Sequence, residues 1–204
     1  MELRDLLAGA LLYFLFPLWL LAGVADYICH RRTAIERTSG IGESALHVLQ
    51  AIEIGIPLVA GLFFEINALV LAIMWTSVLA HTLTALWDGS YTSRRRRISP
   101  IEQHIHSHLE YVPIVAVLLV SLLYWDPLRA LFGFAAGPRA FTLEPKHQPI
   151  DSRYLLAILA PIVVFQGGLL LEEFVRTWRH ARRPSAPVEA AEQRAQRIRD
   201  QVVK

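Results

Sequence analysis

The sequence of 204 residues is poor in cysteine and in charge. Its single cysteine, Cys29, cannot form a disulfide within the chain, so cysteine usage does not indicate a redox compartment. Asp, Glu, Lys and Arg make up only 19% of the residues, against roughly 25% in an ordinary soluble domain. Because 54% of the residues are hydrophobic, the composition excludes intrinsic disorder and argues against a soluble globular domain.

The N-terminus also lacks the basic segment that begins a secretory signal peptide. The apolar run that follows Met-Glu-Leu-Arg-Asp is longer than the roughly 7–15 residues of a signal-peptide core, and no small-residue cleavage site comes after it. We therefore expect this run to remain in the mature protein as a helix.

Four long runs contain no Asp, Glu, Lys or Arg. Residues 6–25 and 66–87 form runs of 20 and 22 residues, and residues 111–125 and 154–171 form runs of 15 and 18. A helix rises about 1.5 Å per residue, so about 20 apolar residues cross a bilayer core of about 30 Å. The sequence therefore predicts an all-α integral membrane protein.

We predict a bundle of about five transmembrane helices over residues 1–180, of which four carry a functional site, and a charged tail over residues 181–204. The predicted spans are residues 6–29, the two arms of a hairpin within residues 44–87 that turns at 64–67, residues 100–125 and residues 153–174. Residues 128–150 show no clear period and predict an external loop.

Basic residues predict the orientation of the chain. Of the 20 Lys and Arg residues, 15 lie after the first, third and fifth helices, on one side of the predicted bundle. The positive-inside rule makes that side cytoplasmic and puts the N-terminus outside. We expect a bacterial inner-membrane protein with a cytoplasmic C-terminus, in which the run Arg94–Arg97 anchors the chain at anionic headgroups or faces the polar head of a substrate.

Capping patterns predict where two helices begin. Ser99-Pro100-Ile101-Glu102 has Ser at the N-cap, Pro at the first position and Glu at the third, which predicts a helix that begins at Pro100. Thr33-Ala34-Ile35-Glu36 has the same spacing and predicts a second capping box with a short helix before Gly40.

Six of the eight histidines fall at the predicted cytoplasmic ends of the first four helices: His30, His47, His81, His104, His106 and His108. Several have a carboxylate or another histidine four residues away, as in Asp26/His30, Glu43/His47, His104/His108 and His106/Glu110. Residues four apart share one face of a helix, as do residues seven apart such as His81 and Asp88. Imidazole and carboxylate groups suit iron, zinc or manganese, and helical bundles build dinuclear metal sites from them.

The pattern predicts a metal site at the cytoplasmic face, with a pool of candidate ligands made up of His30, His47, His81, His104, His106, His108, Asp26, Glu43, Asp88 and Glu110. At 100° per residue, His106 points about 160° away from the stripe shared by His104 and His108, so the two stripes cannot serve one site equally. Glu43 and Asp88 are also the candidate catalytic residues.

Other acidic and polar residues have simpler interpretations. Glu36 and Glu102 are explained as capping residues. Glu53 and Gln166, deeper in the membrane, are interpreted as interhelical hydrogen-bond partners. Glu172 and Glu173, at the cytoplasmic end of the fifth helix, are within reach of the site, but salt bridges with neighbouring Arg residues are the preferred interpretation.

Histidines clustered at the cytoplasmic helix ends of a small membrane protein resemble the membrane-bound di-iron desaturase and hydroxylase families. The resemblance is one of layout: His104 and His108 form an HxxxH box, but the HxxHH boxes of those families do not occur, and carboxylates stand in their place. The resemblance implies two irons, an apolar or lipid-like substrate and an electron-donor protein.

Three functions remain open at this stage. The first is a di-iron oxidoreductase that acts on a lipid-like substrate, with His30, His47, His81, His104 and His108 as the core ligands. The second is a zinc hydrolase of the ceramidase-like amidase type, in which three ligands such as His47, His104 and His108 leave a position for an activated water. The third is a haem-binding electron-transfer protein. Membrane lipids are expected partners in each case, and nucleic acid is not.

Overall fold

The computed structural model describes residues 2–134 and 141–182, and within these residues it is helical and contains no strand. Five helices are long and apolar enough to cross a membrane, which confirms the predicted fold class. We label the helices in chain order: α1 Leu3–Thr33, α2 Gly40–Phe63, α3 Ala68–Ser93, α4 Pro100–Leu123, the short α5 Trp125–Leu131, and α6 Ser152–Ala181. The predicted charged tail lies outside the described residues from position 183 onward.

The outer faces of the long helices are apolar. On α3, for example, Leu79, Leu83 and Leu86 are 59–61% exposed, although they are large hydrophobic side chains. The buried apolar core is small and centres on Val70, Leu71 and other side chains between α2, α3 and α4. Apolar side chains that face outward along long helices are compatible with a lipid environment.

The predicted hairpin turn between α2 and α3 is confirmed. Helix α2 ends at Phe63 and α3 begins at Ala68, with the Asn67 side chain accepting a hydrogen bond from the backbone N–H of Val70 at 3.1 Å. The segment after residue 140 crosses this turn, where the N–H of Glu65 donates to the carbonyl of Glu144 at 2.8 Å. These contacts close the end of the bundle that lies away from the clustered histidines.

The two predicted capping boxes have different outcomes. The box at Ser99 forms, because the Ser99 hydroxyl accepts from the N–H of Glu102 at 3.1 Å while the Glu102 carboxylate accepts from the N–H of Ser99 at 3.4 Å. The box at Thr33 does not form. Thr33 is the last residue of α1, Ala34 takes a left-handed conformation with φ 49°, and a 3₁₀ turn follows at Ile35–Arg37. The short helical turn is therefore present, but it is not capped by the predicted side chain.

Two of the long helices contain wide π turns, at Leu11–Leu15 in α1 and Ile162–Gly168 in α6. A π turn widens the helix locally and is frequent at functional sites. The turn in α6 faces α1, where Gln166 packs so closely on Gly23 that a Cβ atom at position 23 would overlap its amide. This contact helps to position α6 beside the polar end of the bundle.

Candidate metal centre

Nine ionisable side chains from all five long helices and the α3–α4 loop meet at one end of the bundle. We call this group the carboxylate–histidine cluster: Asp26, His30, Glu43, His47, Asp88, Arg96, Glu102, His106 and Glu173. Helices α1, α2 and α4 each contribute a carboxylate and an imidazole four residues apart. The i, i+4 spacing places both members of each pair on the inward face of their helix.

His30 lies at the centre of the cluster and is fully buried. Its Nδ1 donates to the Glu173 carboxylate at 2.8 Å. Its Nε2 faces three carboxylate oxygens at distances between 3.4 and 3.7 Å, which belong to Asp26, Glu43 and Glu102. None of these contacts is a hydrogen bond, so Nε2 has no hydrogen-bond partner. In a neutral ring whose Nδ1 proton is donated to Glu173, Nε2 has a free lone pair and is available as a ligand atom.

Three potential ligand atoms of the cluster lie close together. They are Oδ1 of Asp26, Nε2 of His30 and Nε2 of His106, which lie within 4.8 Å of one another, are buried and have no hydrogen-bond partner. Oδ1 of Asp26 is 3.4 Å from His30 and 2.9 Å from His106. A metal with bonds of about 2.1 Å separates adjacent ligand atoms by roughly 3.0–3.4 Å, so these two distances fit a shared ion.

His47 is the second buried imidazole at the centre. Its ring stacks on that of His30 with centroids 4.7 Å apart. Its Nδ1 contacts Oε1 of Glu173 at 3.0 Å, and its Nε2 contacts Oδ2 of Asp88 at 3.2 Å. Glu173 thus holds both central imidazoles with one carboxylate, and such contacts fix ring orientation in metal sites. His30, Glu43 and His47 also bring one donor atom each within 4.8 Å of one another.

Arg96 does not face the headgroups as the sequence suggested for the run Arg94–Arg97. Its side chain is only 4% exposed, and one guanidinium nitrogen lies 2.5 Å from Glu43 and 2.6 Å from Glu102. Burial opposes the positive charge, but the hydrogen bonds to Glu43 and Glu102 outweigh it and raise the pKa of Arg96 above its usual range. The other three arginines of the run are exposed.

The cluster contains more negative than positive charge. It has five carboxylates and one guanidinium, which gives a formal charge of −4 when the imidazoles are neutral. His30, His47 and His106 each contact a carboxylate, and each imidazolium among them reduces the negative charge by one, to −1 if all three are protonated. Four of the five acids are less than 7% exposed. Burying uncompensated charge is costly, so the cluster requires additional positive charge.

The structure brings together six of the ten predicted ligands and separates the other four. His104 is exposed and His108 is half-buried. Their ring centroids are 4.7 Å apart, and Nδ1 of His108 donates to the backbone carbonyl of His104 at 2.9 Å. The prediction that His104 and His108 are core ligands of the site is therefore wrong. Helix α4 turns the opposite stripe, with Glu102 and His106, into the cluster.

His81 and Glu110 also lie outside the cluster. His81 is buried deeper between the helices, where its Nδ1 lies 4.0 Å from Glu53. Glu110 is half-buried and forms no hydrogen bond or ion pair with the cluster. Glu53 accepts a hydrogen bond from Thr84 at 2.8 Å, in keeping with its predicted role between helices.

Three members of the cluster were absent from the predicted ligand set. Glu102 was explained as a cap, and it acts as one while its other oxygen contacts Arg96 and faces His30. The four-residue spacing of Glu102 and His106 was the sequence pattern that could have identified Glu102 as a member of the cluster. Glu173 was assigned to a salt bridge, but its neighbour Glu172 takes that role with Arg31 and Arg176. No local pattern distinguishes these two acids.

A cavity of about 580 Å³ opens beside the cluster. Asp26, His47 and Glu173 line its polar end, and the remaining wall is mostly apolar. A second, wholly apolar cavity of about 280 Å³ adjoins it, since both are lined by Trp19, Ile54, Leu58 and Ile162. Together they form an apolar space within the helices that reaches the acids and imidazoles.

Comparison of the chain with protein-family models, with curated proteins and with solved structures finds no match.

Proposed function

We propose that this chain is a membrane-embedded, metal-dependent oxidoreductase that acts on an apolar, lipid-like substrate. The observation that carries the proposal is the convergence of three buried donor atoms without hydrogen-bond partners, from Asp26, His30 and His106. Oδ1 of Asp26 and Nε2 of His106 contact each other as an ion pair at 2.9 Å, but Nε2 of His30 has no partner beyond the surrounding carboxylates. Polar atoms buried in this way are rare in proteins, and a bound ion shared by the three side chains satisfies all of them.

The charge of the cluster supports more than one bound cation. Metal-ligating imidazoles are neutral, and the formal charge of −4 that the cluster then carries matches one or two divalent ions better than an apolar or neutral ligand. The first ion is assigned to Asp26, His30 and His106, and a second is assigned beside it to Glu43 and His47, which with His30 place one donor atom each within 4.8 Å of one another. Mixed imidazole and carboxylate ligands with open positions suit iron, which in such a site supplies activation of O2.

The residues around the cavity have distinct roles in this proposal. The His47 ring lines the polar end of the cavity, beside the proposed second ion. Asp88 and Glu173 orient that ring from opposite nitrogens. Glu43 is held by Arg96 and Ser39, so it acts as a ligand rather than as a mobile base. The apolar walls exclude water and accept a hydrocarbon chain.

A zinc-dependent hydrolase is the second candidate, and Ser44 favours it. Ser44 follows Glu43, is fully buried and has a hydroxyl without a hydrogen-bond partner. A zinc ion held by these ligands would supply an activated water for hydrolysis, and a hydroxyl beside it would donate to the oxygen on which negative charge develops.

The test is metal analysis of the purified protein together with O2 uptake in the presence of lipids. We expect iron in the wild type and in His104→Ala, the matched control outside the cluster, and loss of iron in Asp26→Asn and His106→Ala. We also expect lipid-dependent O2 uptake that follows iron content. One zinc per chain with a cleaved lipid product would favour the hydrolase, and equal metal content in all four proteins would contradict a site at Asp26 and His106.

A further inference from the structure

Four polar side chains outside the carboxylate–histidine cluster line the larger cavity, and two of them, Tyr27 and Gln166, are hydrogen-bonded to Glu172 and to the carbonyl of Trp19. The other two have no such partner. They are Gln50 on α2 and His81 on α3, and both line the cavity wall. Both ring nitrogens of His81 and the amide nitrogen of Gln50 are buried without a hydrogen-bond partner. His81 is only 4% exposed, so water from outside the bundle does not satisfy it freely.

The position of this pair along the bundle is fixed by the two helices. His81 precedes Asp88 by seven residues on α3, and Gln50 follows His47 by three residues on α2. At a rise of about 1.5 Å per residue, His81 lies about 10 Å along α3 from the level of Asp88, and Gln50 lies about 5 Å along α2 from the level of His47. The pair is therefore separated from the proposed metal by a stretch of cavity.

No contact of His81 with the wall has full hydrogen-bond geometry, although the backbones of Gln50 and Leu109 lie beside the ring and Oε2 of Glu53 lies 4.0 Å from its Nδ1. Ile54, Leu58, Leu109 and Ile162 line the cavity there and are apolar. Polar groups that are buried without partners are normally satisfied by water or by a ligand. An apolar cavity with a few convergent polar groups is the usual form of a small-molecule site, where the polar groups fix orientation.

We propose that Gln50 and His81 bind an uncharged polar group, a hydroxyl or a carbonyl, on an otherwise apolar substrate. This inference rests on the proposed function for the identity of the cavity as the substrate site. Gln50 donates through its amide, and a neutral His81 ring can donate from one nitrogen and accept at the other, so the pair recognises either group.

A substrate carboxylate fits this position less well. Oε2 of Glu53 lies 4.0 Å from Nδ1 of His81 on α2 and has no hydrogen-bond partner. A second carboxylate on the other side of the ring would place two negative charges around one imidazole in an apolar environment. The site therefore selects hydroxyl or carbonyl over carboxylate.

The geometry has a consequence for which carbon reacts. With its polar group at Gln50 and His81, an extended chain passes the cluster at a distance of about 5–10 Å from that group. The pair then acts as a positioning device that sets the reacting carbon relative to the metal ligands.

Binding is tested on the detergent-solubilised full chain with three probes of equal length: a mid-chain brominated hexadecane, the matching 1-hexadecanol and the matching hexadecanoic acid. Bromine quenches tryptophan on contact, and Trp19 lines both cavities. The Trp19→Phe variant identifies the quenching that belongs to this residue.

We expect the brominated alcohol to bind about tenfold more tightly than the alkane and more tightly than the acid, as one or two buried hydrogen bonds predict. His81→Phe and Gln50→Leu, which keep side-chain size, are expected to reduce the alcohol preference to within about twofold. His104→Ala, outside the cavity, is expected to keep it. Circular dichroism and gel filtration confirm that each variant is folded.

Equal affinity for alcohol and alkane in the wild type, as expected if only water occupies the pair, would overturn the inference. So would a preference that survives both substitutions. The Asp26→Asn variant separates this result from the proposed function. If Asp26→Asn loses metal and keeps the alcohol preference, both the proposed function and the inference about Gln50 and His81 are supported. If the wild type binds no metal and still prefers the alcohol, only the proposed function fails.

Discussion

The Nδ1 atom of His30 lies 2.8 Å from Oε2 of Glu173, although the two residues are 143 positions apart in the sequence. The other oxygen of Glu173 lies 3.0 Å from Nδ1 of His47. One carboxylate on α6 therefore orients both central imidazoles, which come from α1 and α2. Helix α6 belongs to the site, whereas the sequence assigned the site to the first four helices only.

This relationship predicts different results for two adjacent acids. Glu173→Gln keeps the size of the side chain but removes the charge that holds both imidazoles, so metal affinity should fall roughly 10- to 100-fold. Glu172→Gln is the matched control, because Glu172 contacts Tyr27, Arg31 and Arg176 rather than the cluster. Competition with a chelator of known affinity measures both variants. Equal affinities would show that Glu173 does not support the ligands.

The sequence predicted the parts of the site that depend on local spacing. Asp26/His30 and Glu43/His47 each lie four residues apart, and helix geometry alone places each pair on one face. The turn at residues 64–67 follows in the same way, because the apolar stretch around it is twice the length of one span.

The rotation of α4 about its own axis could not be predicted. His104/His108 and Glu102/His106 are both i, i+4 pairs, and each forms a plausible ligand stripe. Packing against α1 selects the second stripe, where His106 contacts Asp26 at 2.9 Å. Such a choice depends on contacts between distant segments, as does the inward orientation of Glu173. The periodicity of a single helix contains no information about the rotation of α4 or about the orientation of Glu173.

Arg96 provides a prediction about stability. Arg96→Ala removes the only guanidinium of the cluster and leaves Glu43 and Glu102 buried without their partner. Breaking a buried ion pair in this way typically destabilises a protein by about 3–5 kcal/mol. Arg97→Ala, at an exposed position in the same run, is expected to change stability by less than about 0.5 kcal/mol. Thermal unfolding in detergent without added metal compares the two variants, and similar melting temperatures would show that Arg96 is not structurally required.

Two glycines are expected to respond to alanine in opposite directions. A Cβ atom at Gly42 would overlap the Tyr91 hydroxyl, which donates to the carbonyl of Ser39 at 3.2 Å and so fixes the start of α2 near α3. Gly42→Ala should destabilise the protein by about 1–3 kcal/mol because the Tyr91 ring must move.

At Gly89, within α3, a Cβ atom meets nothing within 4 Å. Gly89→Ala should therefore stabilise the helix by about 0.5–1 kcal/mol. Unfolding midpoints measure both, and destabilisation by both would contradict the open space at Gly89.

The charge of the cluster leads to a prediction about metal addition. Five carboxylates and one guanidinium leave an excess of negative charge that either bound cations or protons must balance. If cations balance it, the folded chain binds metal and the unfolded chain does not, so ferrous iron should raise the melting temperature. At a concentration 100 times the dissociation constant the gain is about 2.7 kcal/mol.

Asp26→Asn is the discriminating variant in that titration. It keeps the size of the side chain but removes one ligand oxygen at the point shared with His30 and His106, so the thermal response to iron should be lost or should require much higher iron concentrations. His108→Ala, outside the cluster, should keep the wild-type response. If protons balance the charge, no divalent ion changes the melting temperature of any of the three proteins, and the metal centre is contradicted. A response that is equal in all three would place the bound metal elsewhere.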